Sequence, residues 1–163
     1  MAVGSDEFRH VLSHFASGVT VVTTWDPDGH PTGLTASAFT SVSLSPPLVL
    51  VCVDHQAQSY EALRTHGWFA INILAADQES LSRHFATTQP NKFEHLAFLK
   101  GPQGLPLLPA ALAYLECRKV HAYAGGDHTI FVGEVEAAAV GTGEPLLYYR
   151  GQYNRPRSED SRS

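Results

Sequence analysis

The stretch VTVVTTWDPDGHPTGLTASAF, residues 19–39, decides the fold. Residues 19–25 are β-branched and aromatic, the composition of a strand. Asp26-Pro27-Asp28-Gly29 is turn chemistry, in which Pro sets φ and Gly supplies the left-handed conformation. Residues 30–39 then resume as a second strand, so the segment reads as a β-hairpin.

Working toward the N-terminus, Phe8, Val11, Leu12 and Phe15 fall at i, i+3, i+4 and i+7, one apolar face of a short helix. Asp6 is a plausible N-cap for it, and Gly18 follows its end. Toward the C-terminus, Pro46-Pro47 leads into residues 48–53, apolar on both faces and therefore a central strand. Ser59 can cap a helix over 60–65 that ends at Gly67, and 68–74 reads as another strand. Asp77 can cap a helix through Ala86, with Leu81 and Phe85 on its buried side. Residues 87–109 hold four prolines and two glycines and read as a long loop, of the kind that is functional or mobile. Strands over 113–124 and 129–140 flank Gly125-Gly126-Asp127-His128. A short strand over 146–150 precedes Gly151 and Tyr153, and the polar residues 154–163 are expected to form a disordered tail. One domain over 1–153 follows, mainly β, a partly closed antiparallel barrel with a few peripheral helices.

The chain has 163 residues and a formal charge of −5, which argues against the basic face that nucleic-acid binding needs. No basic segment followed by an apolar stretch opens the sequence, and no apolar run is longer than the six residues of 48–53, far short of the roughly 20 residues of a membrane helix. A soluble, cytoplasmic protein is expected. The two cysteines, Cys52 and Cys117, sit in apolar strand-like runs and read as buried thiols of a reducing compartment.

Three segments could carry chemistry. In 33–43, small residues allow close approach of a ligand, and Thr35, Ser37, Thr40 and Ser41 offer hydroxyls; a solvated strand end reads equally well. Residues 54–59 run from a strand into a helix, where free N–H groups favour an anion. Gly126-Asp127-His128-Thr129 is either a plain turn or a polar pair held over a pocket. His10 and His14 have metal-ligand spacing but lack a third ligand. Gly141-Thr142-Gly143-Glu144 lacks the third glycine of a dinucleotide fingerprint. No P-loop, nucleophile elbow or paired carboxylates at helical spacing occur in the sequence.

The order of seven segments is specific: FRHVLSHFASGVTVVTT (8–24), GLTASAFTSVSLSPPLVLVCVD (33–54), FAINIL (69–74), LSRHFA (81–86), NKF (91–93), GDHTIFVGEV (126–135) and LLYYRGQY (146–153). Together they resemble the short flavin reductases that serve two-component flavin-dependent monooxygenases, built on the FMN-binding split barrel. The resemblance implies reduction of FMN or FAD by NADH or NADPH, a homodimer, and a monooxygenase partner that receives reduced flavin. It implies that Thr35, Ala36, Ser37, Ala38 and Ser41 lie along the isoalloxazine and ribityl chain, and that Cys52, Val53 and Asp54 border the ring. Ser59 and Lys92 are expected near the flavin phosphate, with Phe85 lining the same groove. His128 is the position associated with nicotinamide, an orienting group rather than an essential acid or base, helped by Tyr149, Gly151 and Tyr153. Hydride transfer between two cofactors needs no protein nucleophile, which suits a chain without hydrolase machinery. A non-catalytic flavin carrier or sensor would share the flavin contacts and lack productive nicotinamide binding.

Overall fold

In the computed structural model, which describes residues 2–157, three helices and twelve strands follow one another. They are α1 (Ser5–Leu12), β1 (Ser17–Gly18), β2 (Thr20–Trp25), β3 (Pro31–Ala36), β4 (Phe39–Leu44), β5 (Pro47–Asp54), α2 (Tyr60–Thr65) and β6 (Trp68–Ile73). After them come α3 (Glu79–Phe85), β7 (Leu99–Lys100), β8 (Pro106–Leu107), β9 (Ala113–Gly125), β10 (His128–Val140), β11 (Leu147–Tyr149) and β12 (Gln152–Asn154).

Seven strands form one antiparallel sheet in the order β3-β2-β6-β9-β10-β5-β4. Its inner face gathers Val22, Ala36, Val51, Val53, Phe69 and Phe131 into one core, so strands from both ends of the order share a single interior. The sheet curls into a barrel, but among the described residues no ladder joins β3 to β4. The two edges are instead consecutive in sequence, linked by Ser37-Ala38, and the Cys52 N–H donates to the Ala38 carbonyl at 3.0 Å. The barrel is therefore split. A second cluster, centred on Val21, Leu74, Phe85 and Phe93, packs α3 and the following segment against the outside of β2. The hairpin β11–β12 turns through Arg150 and Gly151, both at positive φ as a tight two-residue turn requires, and β11 pairs with β1.

Several expectations are corrected. The 30–39 strand is two strands, because the chain changes sheet edge at Ser37-Ala38. The 48–53 run is not buried on both faces: Val49, Val51 and Val53 point inward, while Leu48, Leu50 and Cys52 are half-exposed. No residue of α1 is buried, so among the described residues nothing covers its apolar face, and Gly4 rather than Asp6 stands at its N-cap. Ser59 caps nothing with its side chain. The helix expected from Asp77 begins at Glu79, behind Gln78. Residues 87–109 are pinned rather than loose. Asn72 Oδ1 accepts from Leu108 N–H, Thr23 Oγ1 donates to the Pro106 carbonyl, and the fully buried Glu116 carboxylate accepts from the N–H groups of Gln103 and Leu105. Asn154, assigned to the tail, pairs with Leu147, and residues 158–163 lie outside the described residues.

Candidate functional site

A groove of about 720 Å³ opens where the barrel fails to close, within the roughly 300–1,000 Å³ of ordinary small-molecule sites. Leu12 and Phe15, at and beyond the end of α1, form one wall, and Leu50 and Cys52 on the outer face of β5 form the other. Ala16, Ser17 and Gly18 line it on one side and Ser37, Ala38 and Thr40 on the other, so small side chains leave backbone open to a ligand. Among the described residues the N–H groups of Ser37 and Ala38 have no hydrogen-bond partner. The step between two strands has freed them from any ladder.

Of the candidate contact residues singled out in the sequence, Ser37, Ala38, Thr40 and Cys52 reach the groove. Asp54 and His128 stand beyond its end on the same sheet face, because Asp54 lies two residues from Cys52 and pairs across the ladder with His128. Ser41 is exposed on β4 and does not line the groove. Thr35 points away from it, donating its hydroxyl to the Ser82 carbonyl at 2.6 Å. Ala36 and Val53 belong to the barrel core, one residue out of phase with Cys52.

Three expected contacts form a separate cluster behind β3. Ser59 Oγ and Lys92 Nζ both donate to the Gly33 carbonyl, at 2.8 and 3.2 Å, and Lys92 Nζ also donates to the Phe85 carbonyl at 2.9 Å. Lys92 is 7% exposed, Ser59 is buried, and Phe85 is wholly enclosed against Phe93. Phe85 therefore does not line the groove, and the Ser59 hydroxyl is committed to the fold. Lys92 ties the C-terminal end of α3 to β3, as a lysine at a helix C-terminus favours. Tyr153 meets α3 as well: its hydroxyl lies 2.9 Å from Ser82 Oγ, and the Arg83 guanidinium sits 4.8 Å over its ring. Tyr149 is exposed and edges against His14, while Gly151 supplies the turn between β11 and β12.

Sequence reasoning missed Phe15 and Leu50, which line the groove. Leu50 was readable from the period-2 alternation that it shares with Cys52. Phe15 carries no signal in the sequence beyond its place on an amphipathic helix face.

Burial pushes the Cys52 thiol up, and burial, then the neighbouring Glu116 charge, pushes Cys117 up to about 12; both are free thiols. Neither is an activated nucleophile. At the far end of the face, His128 Nδ1 lies 2.6 Å from Asp127 Oδ1. That hydrogen bond, and then the charge of His128, hold the Asp127 carboxyl below the usual carboxylate range. Apolar walls, small residues, two free N–H donors and no nucleophile–base pair among the lining residues suit a groove that binds a flat ring and orients it.

A family model described as "Flavin reductase like domain" matches residues 12–157. The reductase component of 4-nitrophenol 4-monooxygenase/4-nitrocatechol 2-monooxygenase from Rhodococcus opacus is 50% identical over 90% of this chain and 78% of its own length. An FMN reductase (NADH) of Agrobacterium fabrum is 43% identical over 93% of this chain and 86% of its own. The NADH:FAD oxidoreductase of Streptomyces globisporus C-1027, solved in complex with NAD and FAD fragments, superposes with a TM-score of 0.88 at 40% identity, covering 99% of both chains.

Proposed function

The chain belongs to the flavin reductase family, and on that premise we infer that it is an NAD(P)H:flavin oxidoreductase that reduces FMN or FAD. The reduced flavin goes to a flavin-dependent monooxygenase component, as the relative from Rhodococcus opacus is named for such a system. The observation that carries this reading is the groove at the barrel split, apolar on its walls and lined with free backbone donors.

The groove fits a flavin because small residues line two of its sides and leave it open. When bound, the nicotinamide supplies a hydride and the flavin accepts it, so the reactive atoms belong to the cofactors. Phe15, Leu50 and Cys52 exclude water from the ring faces. The N–H groups of Ser37 and Ala38, fixed before the ligand arrives, donate to the polar edge where negative charge develops. Thr35, Ala36 and Val53 act from behind by holding β3 and β5 in place, as do Ser59, Phe85 and Lys92 through the Gly33 carbonyl. Ser41 and Asp54 flank the groove, and His128 orients the nicotinamide beyond Cys52, with Tyr149, Gly151 and Tyr153 shaping the adjoining hairpin.

The protein acts as a homodimer. Phe8, Val11, Leu12 and Phe15 form an apolar face, with Phe15 79% exposed, and a second copy covering α1 would also close the flank of the groove. Among the described residues no helix is long and apolar enough to cross a membrane. Two unpaired thiols suit the cytoplasm.

The test combines turnover with protection. Purified protein should consume NADH with catalytic FMN or FAD. Either flavin should slow alkylation of Cys52, while the fully buried Cys117 reports unfolding. Flavin binding without NADH loss would mark a carrier. Turnover with an unshielded Cys52 would move the flavin elsewhere.

A further inference from the structure

The tip that carries His128 is a two-residue turn. Gly126, at φ +73°, lets Gly125 of β9 and His128 of β10 face each other as a ladder pair. Three contacts then hold the tip to the segment after β5. The His55 N–H donates to the Asp127 carbonyl at 3.0 Å, and Thr129 Oγ1 lies 3.0 Å from both His55 Nε2 and Tyr60 Oη. Thr129 is buried, so the clamp sits inside the structure and the tip does not swing freely.

On this fixed support Asp127 determines which ring nitrogen of His128 is available. The carboxyl is held ionised, and an ionised carboxylate only accepts hydrogen bonds. The nitrogen 2.6 Å away, Nδ1, must therefore carry a proton and donate it. In the neutral ring that leaves the lone pair on Nε2, the reverse of what a free histidine side chain prefers. Among the described residues Nε2 has no hydrogen-bond partner, and the side chain is 39% exposed. Ile130 pairs with Cys52 and His128 with Asp54, so the imidazole shares a face with Cys52, two residues or about 7 Å along the strand.

We propose that Asp127 is a positioning residue that presents His128 Nε2 as a hydrogen-bond acceptor for the carboxamide NH₂ of the nicotinamide substrate. The proposal rests on the reading of the groove as the flavin site with the nicotinamide beside it. The nicotinamide ring carries one donor, the amide NH₂, and one neutral acceptor, the amide oxygen. An acceptor at His128 takes the NH₂ and refuses the oxygen. It thereby selects one of the two carboxamide orientations and turns the ring the same way in each encounter.

The test pairs Asp127→Ala with reduced 3-acetylpyridine adenine dinucleotide, which has a methyl group where NADH has the amide NH₂. Asp127→Ala should raise KM for NADH roughly 2- to 10-fold, the span of one ordinary hydrogen bond. It should leave KM for the analogue and for flavin within about twofold and kcat for NADH little changed. Asp127→Asn, whose amide oxygen can take the same bond, should stay near the parent. ¹⁵N spectra of the parent should show His128 protonated on Nδ1, and those of Asp127→Ala on Nε2. Parent His128 protonated on Nε2, Asp127→Asn as impaired as Asp127→Ala, or equal losses for NADH and the analogue would overturn the proposal. His128→Ala separates this from the underlying reading: if it leaves KM for NADH unchanged, the nicotinamide does not bind here at all. If it raises KM and Asp127→Ala does not, only the positioning role falls.

Discussion

Cys52 and Val53 are adjacent in β5 and face opposite ways, so a pair of substitutions separates site from scaffold. Cys52→Leu adds two heavy atoms to the groove wall. One surplus methylene in an apolar pocket disfavours a ligand by about 1–3 kcal/mol, so KM for flavin should rise by roughly tenfold or more. Because Cys52 is only half-buried, the change in stability should stay under about 1 kcal/mol. Val53→Ala does the reverse. Val53 is wholly buried in the barrel core, and losing two carbons costs about 1.6 kcal/mol in transfer, or roughly 2–3 kcal/mol with the cavity. For a chain of this size that lowers Tm by roughly 4–12 °C, while KM for flavin should hold within about twofold. Thermal melts by circular dichroism and steady-state NADH oxidation against FMN read both quantities. A Cys52→Leu enzyme with unchanged flavin KM would refute the placement of the flavin. If both variants lost stability alike and neither lost affinity, the two-faced reading of β5 would fail with it.

Gly133 lies where an added Cβ would come 2.6 Å from both Phe69 Cζ and Cys117 Cβ, two residues buried too deeply to yield. Gly133→Ala should destabilise the fold by about 1–3 kcal/mol, seen as a lower urea midpoint. Burial holds the ammonium groups of Lys92 and Lys119 below the usual lysine range, with the Arg64 charge adding to the effect on Lys119. Between those lowered values and the ordinary value near 10.4, the unfolded chain binds more protons than the folded one, so stability rises with pH across that window. Urea melts from about pH 8 to about pH 10.5 should show that rise in the parent and lose it in Lys92→Met/Lys119→Met. Phe8→Glu with Val11→Glu should halve the mass measured by light scattering, from twice 17.7 kDa to that of one chain. An unchanged mass would place the dimer contact away from α1.

The hairpin at residues 26–29 and the β9–β10 hairpin were legible because local chemistry dictates them: a Pro-Asp-Gly turn and a double glycine, each between β-branched runs. The break at Ser37-Ala38 was not, because nothing local stops a strand there. It arises from the curl of the whole sheet, which brings Ala38 to Cys52. The same long-range closure explains the site residues. Thr35 and Ser37 look alike in sequence, yet one is tied to Ser82 and the other opens onto the groove, a difference of face set by where the strand breaks. Ser59 looked like a cap because it precedes a helix, but its hydroxyl meets a carbonyl 26 residues away. Phe85 and Lys92 carry apolar and basic signals that suit a ligand or a core equally, and tertiary packing chose the core. The face of α1 was legible as apolar; that it faces outward was not, because a 3.6-residue pattern says only that a face is apolar and not what covers it.

The Ser37-Ala38 step also governs how this protein could be re-engineered. Two residues are at once the crossing between sheet edges and one wall of the groove, and the Ala38 carbonyl is the stitch that keeps the edges together. Insertions or bulky replacements there would alter substrate range and barrel closure in a single stroke. The opposing rim also holds β11, through the pairing of Ser17 with Tyr148 and Gly18 with Leu147, but a Cβ added at Gly18 meets no atom within 4 Å. On the proposed placement of the flavin, laboratory evolution toward larger or smaller isoalloxazine analogues has its freedom at Gly18.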